Sequence, residues 1–192
     1  MIENIMKLNE LIVLGSLVGQ KWKYLTGAAL TRNQMTDAFV LVTDNQKLSF
    51  GGFVSWVEAN SLAQLMCSFE VNERPASRME EICSENLHFF HFQGETVQDV
   101  VVERECISKK VDGNIVWSYF SDVGISIRLE SGSIKLFKQT HHDETLAVEF
   151  VKSKREMAPT STLSVFNPDL FNSYESTFSS VSLRTIFAER GN

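Results

Sequence analysis

Four adjacent polar residues, His141-His142-Asp143-Glu144, are the part of this sequence whose types best suit metal chemistry. A loop can turn neighbouring imidazole and carboxylate groups toward one ion, and such ligands suit zinc or another divalent metal. We therefore treat His141, His142 and Asp143 as candidate metal ligands, with a metal-dependent hydrolase as one alternative function. The same residues also suit a loop that contacts a partner protein, or an ordinary solvated loop.

Two further histidines, His88 and His91, are three residues apart. The run from Leu87 to Gln93 predicts a strand buried on both faces, and residues three apart on a strand point to opposite sides. The two imidazoles would therefore not share an ion without a bulge. The sequence also lacks a nucleophile elbow, a P-loop and an activated cysteine motif, so it favours a protein that is not an enzyme and has no cofactor.

An aromatic and polar segment follows the first predicted hairpin, from Phe53 to Asn60. Aromatic side chains concentrate binding energy at protein interfaces, although tryptophans are also common in cores. The candidate partner-binding residues are Trp56, Glu58, His142, Asp143 and Glu144. A third alternative is a small barrel for apolar ligands, with Trp22, Trp56 and Trp117 lining its cavity.

Composition restricts the class of partner. The chain has 192 residues, a net charge of −6 and 43 % hydrophobic residues, which is enough for an ordinary core. This acidic balance argues against nucleic-acid binding and suits a basic protein partner. The three cysteines are odd in number and widely spaced, which favours a reducing compartment. The apolar run Leu11 to Val18 is too short to span a membrane, so we expect a cytoplasmic protein, with its oligomeric state left open.

The element pattern predicts one α+β domain over residues 1–192, with a mostly antiparallel sheet and a few short helices. Apolar spacing favours a helix over 2–13, and Pro75 favours another through Glu85. Strand patterns occupy most of the chain between Trp22 and Val151. The segment 153–192 either packs on the fold or is partly disordered; within it, Tyr174 and Phe178 belong to a predicted helical stripe, and 181–187 could form a strand.

Two hairpins resemble each other and predict pseudo-repeats at 17–72 and 96–152, arranged as a sandwich or a half-open barrel. A turn at Asp44-Asn45 would pair Leu41 with Leu48 and Phe39 with Phe50. A turn at Ser131-Gly132 would pair Leu129 with Ile134 and Ile127 with Leu136. In the later hairpin the predicted core residues are Ile125, Ile127, Leu129, Ile134 and Leu136, and the residues left for water or a partner are Ser126, Arg128, Glu130 and Lys135.

Three segments, 17–22, 39–50 and 125–137, resemble a group of small bacterial β-rich proteins. Their pattern is a Gly-Lys-like first strand followed by a strand, a polar turn and a strand, often in two copies, and some members are immunity proteins that neutralise a cognate toxin. The resemblance implies a non-catalytic protein that binds another protein directly, with a basic toxin domain as the expected partner. This is the leading functional hypothesis from the sequence.

Overall fold

The computed structural model describes residues 1–27, 35–36, 38–59, 62–72, 88–138, 145–152 and 174–188. Twelve strands and two short helices lie within these ranges. The strands are β1 (Ile2–Asn4), β2 (Trp22–Gly27), β3 (Met35–Thr36), β4 (Ala38–Thr43), β5 (Lys47–Ala59), β6 (Leu62–Asn72), β7 (His88–Phe89), β8 (Asp99–Val111), β9 (Asn114–Arg128), β10 (Ser133–Lys138), β11 (Leu146–Val151) and β12 (Tyr174–Ser182). The helices are α1 (Leu8–Gly15) and α2 (Leu183–Ala188).

The strands form two sheets. The first sheet has five strands in the order β6-β5-β4-β2-β7. The second has seven, in the order β12-β8-β9-β10-β11-β3, with β1 added to β9. The β1–β9 pair is parallel, and the other described pairs are antiparallel. The predicted α+β class, with a mostly antiparallel sheet and few short helices, is confirmed.

One apolar core contains side chains from both sheets and from helix α1. Leu41 and Phe50 enter it from the first sheet, and Ile127 and Leu136 enter it from the second. Ile127 and Leu136 alternate with polar or partly exposed residues along their strands, as a period of two requires. Strand β4 is instead buried on both faces, since Val40 and Val42 beside Leu41 are also buried. Each such buried side chain contributes about 2 kcal/mol through the hydrophobic effect. All five predicted core residues of the later hairpin are buried, which confirms that prediction.

The register of the first hairpin is as predicted, and that of the second is not. Leu41 pairs with Leu48 and Phe39 with Phe50 across the Asp44-Asn45 turn. In the second hairpin the turn is Glu130-Ser131, closed by a 2.8 Å hydrogen bond from Leu129 N to Gly132 O. Ile127 therefore pairs with Ile134, and Ile125 with Leu136. Gly132 lies just after the turn, and the close approach of Val151 O of strand β11 is what requires a glycine there.

With this register the paired apolar residues of the two hairpins have the same spacing along the chain. The matching pairs are Leu41 with Leu48 and Phe39 with Phe50 in the first, and Ile127 with Ile134 and Ile125 with Leu136 in the second. Each of the four residues in the first hairpin lies the same number of positions before its counterpart in the second. Each hairpin also belongs to a set of four neighbouring strands in its sheet, β2-β4-β5-β6 in the first and β8-β9-β10-β11 in the second. A common origin of the two halves stays a prediction.

The segments before β2 and β8 cross each other with reciprocal hydrogen bonds. Gly19 N donates to Val97 O, and Gly94 N donates to Trp22 O, both at 2.8 Å. Trp22 N donates to Glu95 O at 2.8 Å, and Val97 N to Gln20 O at 2.9 Å. Gly19 and Gly94 have φ angles of 86° and 85°, a conformation that favours glycine. The crossing is therefore an approximate two-fold arrangement built from the same backbone conformation twice.

Several predicted elements differ from the structure. The 2–13 helix is wrong at its start, because Ile2–Asn4 pairs with β9 and the helix begins at Leu8. The helical stripe at Tyr174 and Phe178 is wrong, because these residues lie in β12 and pair with β8. Residues 183–188 form helix α2 rather than a strand. The predicted helix from Pro75 to Glu85 lies outside the described residues.

The polar face of the later hairpin also departs from expectation. Ser126 is buried, and its hydroxyl donates to Glu103 Oε1 at 3.3 Å, so it is not left for water. Lys135 lies opposite Ser126 and Glu149, not opposite Arg128. Arg128 instead lies 3.9 Å from a carboxylate oxygen of Asp99. Arg128 and Lys135 are therefore not cross-strand neighbours, as a turn at Ser131-Gly132 would have made them, since the turn lies one residue earlier than predicted.

Candidate functional site

Of the residues predicted to bind a metal or a partner, only Trp56 and Glu58 are among those that the structure describes. His141, His142, Asp143 and Glu144 lie outside the described residues. Trp56 and Glu58 lie on strand β5, where they pair with Leu65 and Ala63 of β6. The segment from Phe53 to Asn60 was predicted to follow the first hairpin, with a loop from Val54 to Asn60, whereas it continues β5 as far as Ala59. The metal and partner roles of these residues stay predictions.

His88 and His91 have different surroundings. The His88 ring contacts Tyr24, with ring centres 4.8 Å apart, whereas the His91 ring stacks on Phe150 at 4.3 Å. Burial and the nearby Lys152 charge lower the pKa of His91. The predicted strand over Leu87–Gln93 is wrong beyond Phe89, because residues 91–94 form a turn. Across the described ranges, no group of three or more His, Cys, Asp and Glu side chains is arranged to hold a metal ion.

A buried polar cluster lies where β6 of the first sheet meets β1, β8, β9 and β10 of the second. We call it the Lys138 cluster. Its members are Asn4, Arg104, Glu105, Tyr119, Ser121, Asp122 and Lys138. Buried ionisable groups are costly unless they are paired and hydrogen-bonded, so this arrangement requires a specific set of partners.

Lys138 lies at the centre of the cluster and is only 3 % exposed. Its Nζ donates to Ser121 Oγ at 3.1 Å and lies 5.2 Å from the centre of the Phe69 ring. Burial lowers the pKa of Lys138 to about 8, although the nearby Cys67, Asp122 and Glu105 act in the opposite direction. An amine with this pKa suits nucleophilic chemistry, but here it is shielded from solvent.

Asp122 joins three chain segments. Its carboxylate accepts a 2.7 Å hydrogen bond from Met6 N, just after β1, and a 2.7 Å hydrogen bond from Arg104 Nε of β8. Its side chain is 1 % exposed, compared with 23 % for that of Arg104. Such charge-assisted bonds are short and strong in a low-dielectric interior. The carboxylate therefore fixes the N-terminal strand to the second sheet.

Asn4 completes the connection to the first sheet. Its Nδ2 donates to Tyr119 Oη at 2.9 Å and to Cys67 O at 3.1 Å, and Ser68 Oγ donates to its Oδ1. Burial raises the pKa of the Tyr119 hydroxyl, so this group stays protonated and able to hydrogen-bond. The geometry thus supports a cluster that holds β1 and the two sheets together.

The cluster is not a requirement of the strand arrangement itself. Phe50 and Leu136 occupy equivalent positions in the two hairpins, and two residues further along are Gly52 and Lys138. The first sheet therefore has a glycine where the second has the buried lysine. Sequence reasoning missed Lys138, yet a signal was present. Lys138 follows Ile134 and Leu136 with a period of two, which places it on the core face.

The lowered pKa of Lys138 predicts that stability rises with pH in the alkaline range. The folded pKa is about 8 and the ordinary value is 10.5, so between these pH values the unfolded chain binds more protons. The stability of the wild type, relative to Lys138→Met, should therefore rise by up to about 3 kcal/mol from pH 8 to pH 10.5. Denaturant unfolding of both proteins at several pH values measures this difference, and parallel stability curves would contradict it.

A second feature is an exposed set of rings beside strands β2 and β7. We call Tyr24, His88 and Phe90 the aromatic surface. The ring centres of Tyr24 and Phe90 are 5.6 Å apart, and those of His88 and Phe90 are 6.1 Å apart. His88 is exposed and Phe90 is 54 % exposed. Tyr24 is partly buried against Val40 and Val42, so it supports the two exposed rings. Exposed aromatic side chains on a packed base are typical of a protein-contact surface.

The strand that carries these rings is fixed from its other face. Phe89 points inward and stacks on Phe150 of β11, with ring centres 5.8 Å apart. Leu25 pairs with Phe89 and Thr26 with His88, so β7 is also held by the edge of the first sheet. The aromatic surface is therefore presented on a supported backbone, which lowers the entropy lost on binding.

No protein-family model, curated protein or solved structure matches this chain. The resemblance to immunity proteins stays a prediction. Neither of the helices that the structure describes has the length and apolar character needed to cross a membrane. Of the cysteines, Cys67 is buried, Cys106 is partly exposed, and Cys83 lies outside the described residues.

Proposed function

We propose that this protein is a non-catalytic binding protein that contacts another protein through the aromatic surface. The observation that supports this proposal is the ring cluster at a fixed edge of the first sheet, in which the exposed His88 and Phe90 pack on the partly buried Tyr24. Rings of this kind bury a large area at a small entropic cost, and they dominate many interfaces.

The proposed partner is a basic protein, and a toxin domain neutralised by direct binding is the specific version of the proposal. The net charge of −6 favours the approach of a positively charged partner. This long-range attraction acts mainly on the association rate, whereas the rings supply the short-range contacts. Partner choice and affinity therefore depend on different residues.

Co-expression with the product of the adjacent open reading frame tests the proposal. We expect the two proteins to co-purify and the binding protein to protect the cells if that product is toxic. Phe90→Ser should weaken binding by roughly 30-fold, the effect of losing about 2 kcal/mol at a central aromatic contact. Calorimetric titration of the purified pair measures this change.

The chain offers a matched control. Phe53 of β5 is also 54 % exposed, and strands β4 and β2 separate it from β7. Phe53→Ser should therefore leave the affinity within about twofold of the wild type. Failure of the proteins to co-purify, or equal losses for Phe53→Ser and Phe90→Ser, would overturn the proposed surface.

A further inference from the structure

A short segment at the edge of the first sheet reaches across to the second, and we call it the strap (residues 88–93). The strap pairs with β2 at two positions, His88 and Phe89. A turn follows, closed by a 3.2 Å hydrogen bond from Gln93 N to Phe90 O. Segments that are held by few backbone hydrogen bonds are the ones that open locally while the rest of a protein stays folded.

The strap contains one strained residue. Phe92 has a φ angle of 63°, which a bulky side chain seldom adopts. Its ring packs against the core and lies so close to Gly132 that a Cβ there would be 2.6 Å from Phe92 Cε1. Packing of the side chain therefore holds a backbone conformation that is unfavourable by itself, and an open strap would relieve it.

Two rings attach the strap to the second sheet. The His91 ring stacks on Phe150 of β11, with ring centres 4.3 Å apart and planes inclined by 22°. Phe89 stacks on the same ring at 5.8 Å. Of these two attachments, only His91 changes its charge between neutral and mildly acidic pH.

Positive charge lies on both sides of His91. Lys152 directly follows β11, and the exposed Lys23 lies on β2. Burial, and then the Lys152 charge, lower the pKa of His91. Attraction of an imidazolium to the face of the Phe150 ring acts in the opposite direction. Partial burial and the Lys152 ammonium therefore favour the neutral form while the strap is closed.

The acids on neighbouring elements have other roles. The Glu95 carboxylate accepts a 2.9 Å hydrogen bond from Ser131 N, and that of Glu130 accepts a 3.2 Å hydrogen bond from Thr96 N. Glu149 directly precedes the stacked ring on β11, so it points to the opposite face of the sheet. These carboxylates hold turns or face away, and the dominant charge acting on His91 is that of Lys152.

The sign of the pH dependence follows from these contacts. An open strap exposes His91, whose pKa then returns to about 6.5, the ordinary value for histidine. The open form consequently binds more protons than the closed form as the pH falls below this value. Acid therefore favours opening, whereas above this pH the closed form keeps its full stability.

We propose that protonation of His91 releases the strap from β11 and thereby removes the aromatic surface. His88 and Phe90 belong to the strap, whereas Tyr24 stays on β2, so the three rings separate when the strap opens. The consequence for binding rests on the proposed function, and it makes partner contact sensitive to mild acid. The opening itself requires no partner.

Amide hydrogen exchange of the full chain, followed by NMR without any partner, tests the proposal. Rates are divided by the intrinsic rate at each pH, which gives the open fraction. Protection of the Gln93 amide should fall at least about threefold between about pH 7.5 and about pH 5.5. Protection of the amides of β9, in the middle of the second sheet, should stay constant.

Three variants identify the group responsible. His91→Phe keeps a ring on Phe150 but cannot be protonated, so the pH response of Gln93 should vanish; His91→Tyr serves the same purpose. Lys152→Gln should reduce the response, because it removes the opposing charge. His88→Gln is the matched control, since it removes the other imidazole of the strap, and the response should persist.

Three outcomes would overturn the proposal: Gln93 protection that is equal or greater at the lower pH, a response that persists in His91→Phe and His91→Tyr, or one that His88→Gln abolishes. Circular dichroism establishes that each variant is folded. Partner binding by Phe90→Ser is measured at about pH 7.5, above the ordinary pKa of histidine. A partner bound there together with a strap insensitive to pH contradicts only this proposal, whereas a pH-sensitive strap without any partner contradicts only the proposed function.

Discussion

Replacing Asp122 with alanine should lower the free energy of unfolding by about 3 to 5 kcal/mol, the usual cost of breaking a buried charge pair. The carboxylate accepts hydrogen bonds from Met6 N and Arg104 Nε, both at 2.7 Å. Its removal also takes away a negative charge that favours the buried Lys138 ammonium. Chemical denaturation at pH 7 measures the change.

Two further variants separate the causes of this loss. Asp122→Asn keeps an acceptor oxygen but removes the charge, so its effect should be intermediate. Glu3→Ala removes an exposed acid from the adjacent strand β1, and it should change stability by no more than about 0.5 kcal/mol. If Asp122→Ala stays within about 1 kcal/mol of the wild type, the carboxylate does not hold β1 to the sheet.

Gly132→Ala is the other substitution with a large expected effect, a loss of about 3 kcal/mol or more. A Cβ at this position would lie 2.3 Å from Val151 O and 2.6 Å from Phe92 Cε1. The carbonyl belongs to strand β11, so relief of the clash requires the backbone to move. Thermal or denaturant unfolding of the purified variant measures the loss.

Gly94→Ala provides the comparison. Its Cβ would meet no atom within 4 Å, and only its φ of +85° opposes the substitution. We expect a cost of about 1 to 2 kcal/mol from that backbone conformation alone. A Gly132→Ala variant as stable as Gly94→Ala would show that β11 does not approach as closely as described.

Gly132 explains why the strand register could be predicted for the first hairpin but not for the second. At Asp44-Asn45 the turn residues and the apolar pattern indicate the same register, and the pairing of Leu41 with Leu48 is correct. At Ser131-Gly132 the glycine is present because Val151 passes close to it, a cause that is remote in sequence. The apolar face was still correct, since the error shifted the pairing by two residues and preserved the alternation.

Near both ends of the chain, pairing with a strand distant in sequence determines the secondary structure. Ile2 fits a helical stripe, but pairing with Tyr119 of β9 makes it part of a strand. Tyr174 likewise fits a helix until β8 supplies a neighbour for it. Tertiary pairing overrides local spacing in both places, and a single sequence gives no indication of the pairing strand.

For the Lys138 cluster, too, local spacing predicts one part and strands distant in sequence supply the rest. The alternation in β10 is sufficient to place Lys138 on the core face. The other polar groups of the cluster come from β1, β8 and β9, and no local spacing joins Asn4, Glu105 and Ser121. The exposed rings of the aromatic surface also depend on β7 being a two-residue strand, where the sequence predicted a longer one.

The reciprocal bonds between the segments before β2 and β8 bear on how the chain folds. Gly94 N bonds to Trp22 O, and Gly19 N to Val97 O, so each half satisfies backbone groups at or just before the start of a strand of the other half. Strand β1 joins β9, and β3 joins β11, which extends this exchange to the sheet edges. We therefore expect the halves to fold in one cooperative transition, and a chain cut between them to regain its structure only when both fragments are present together.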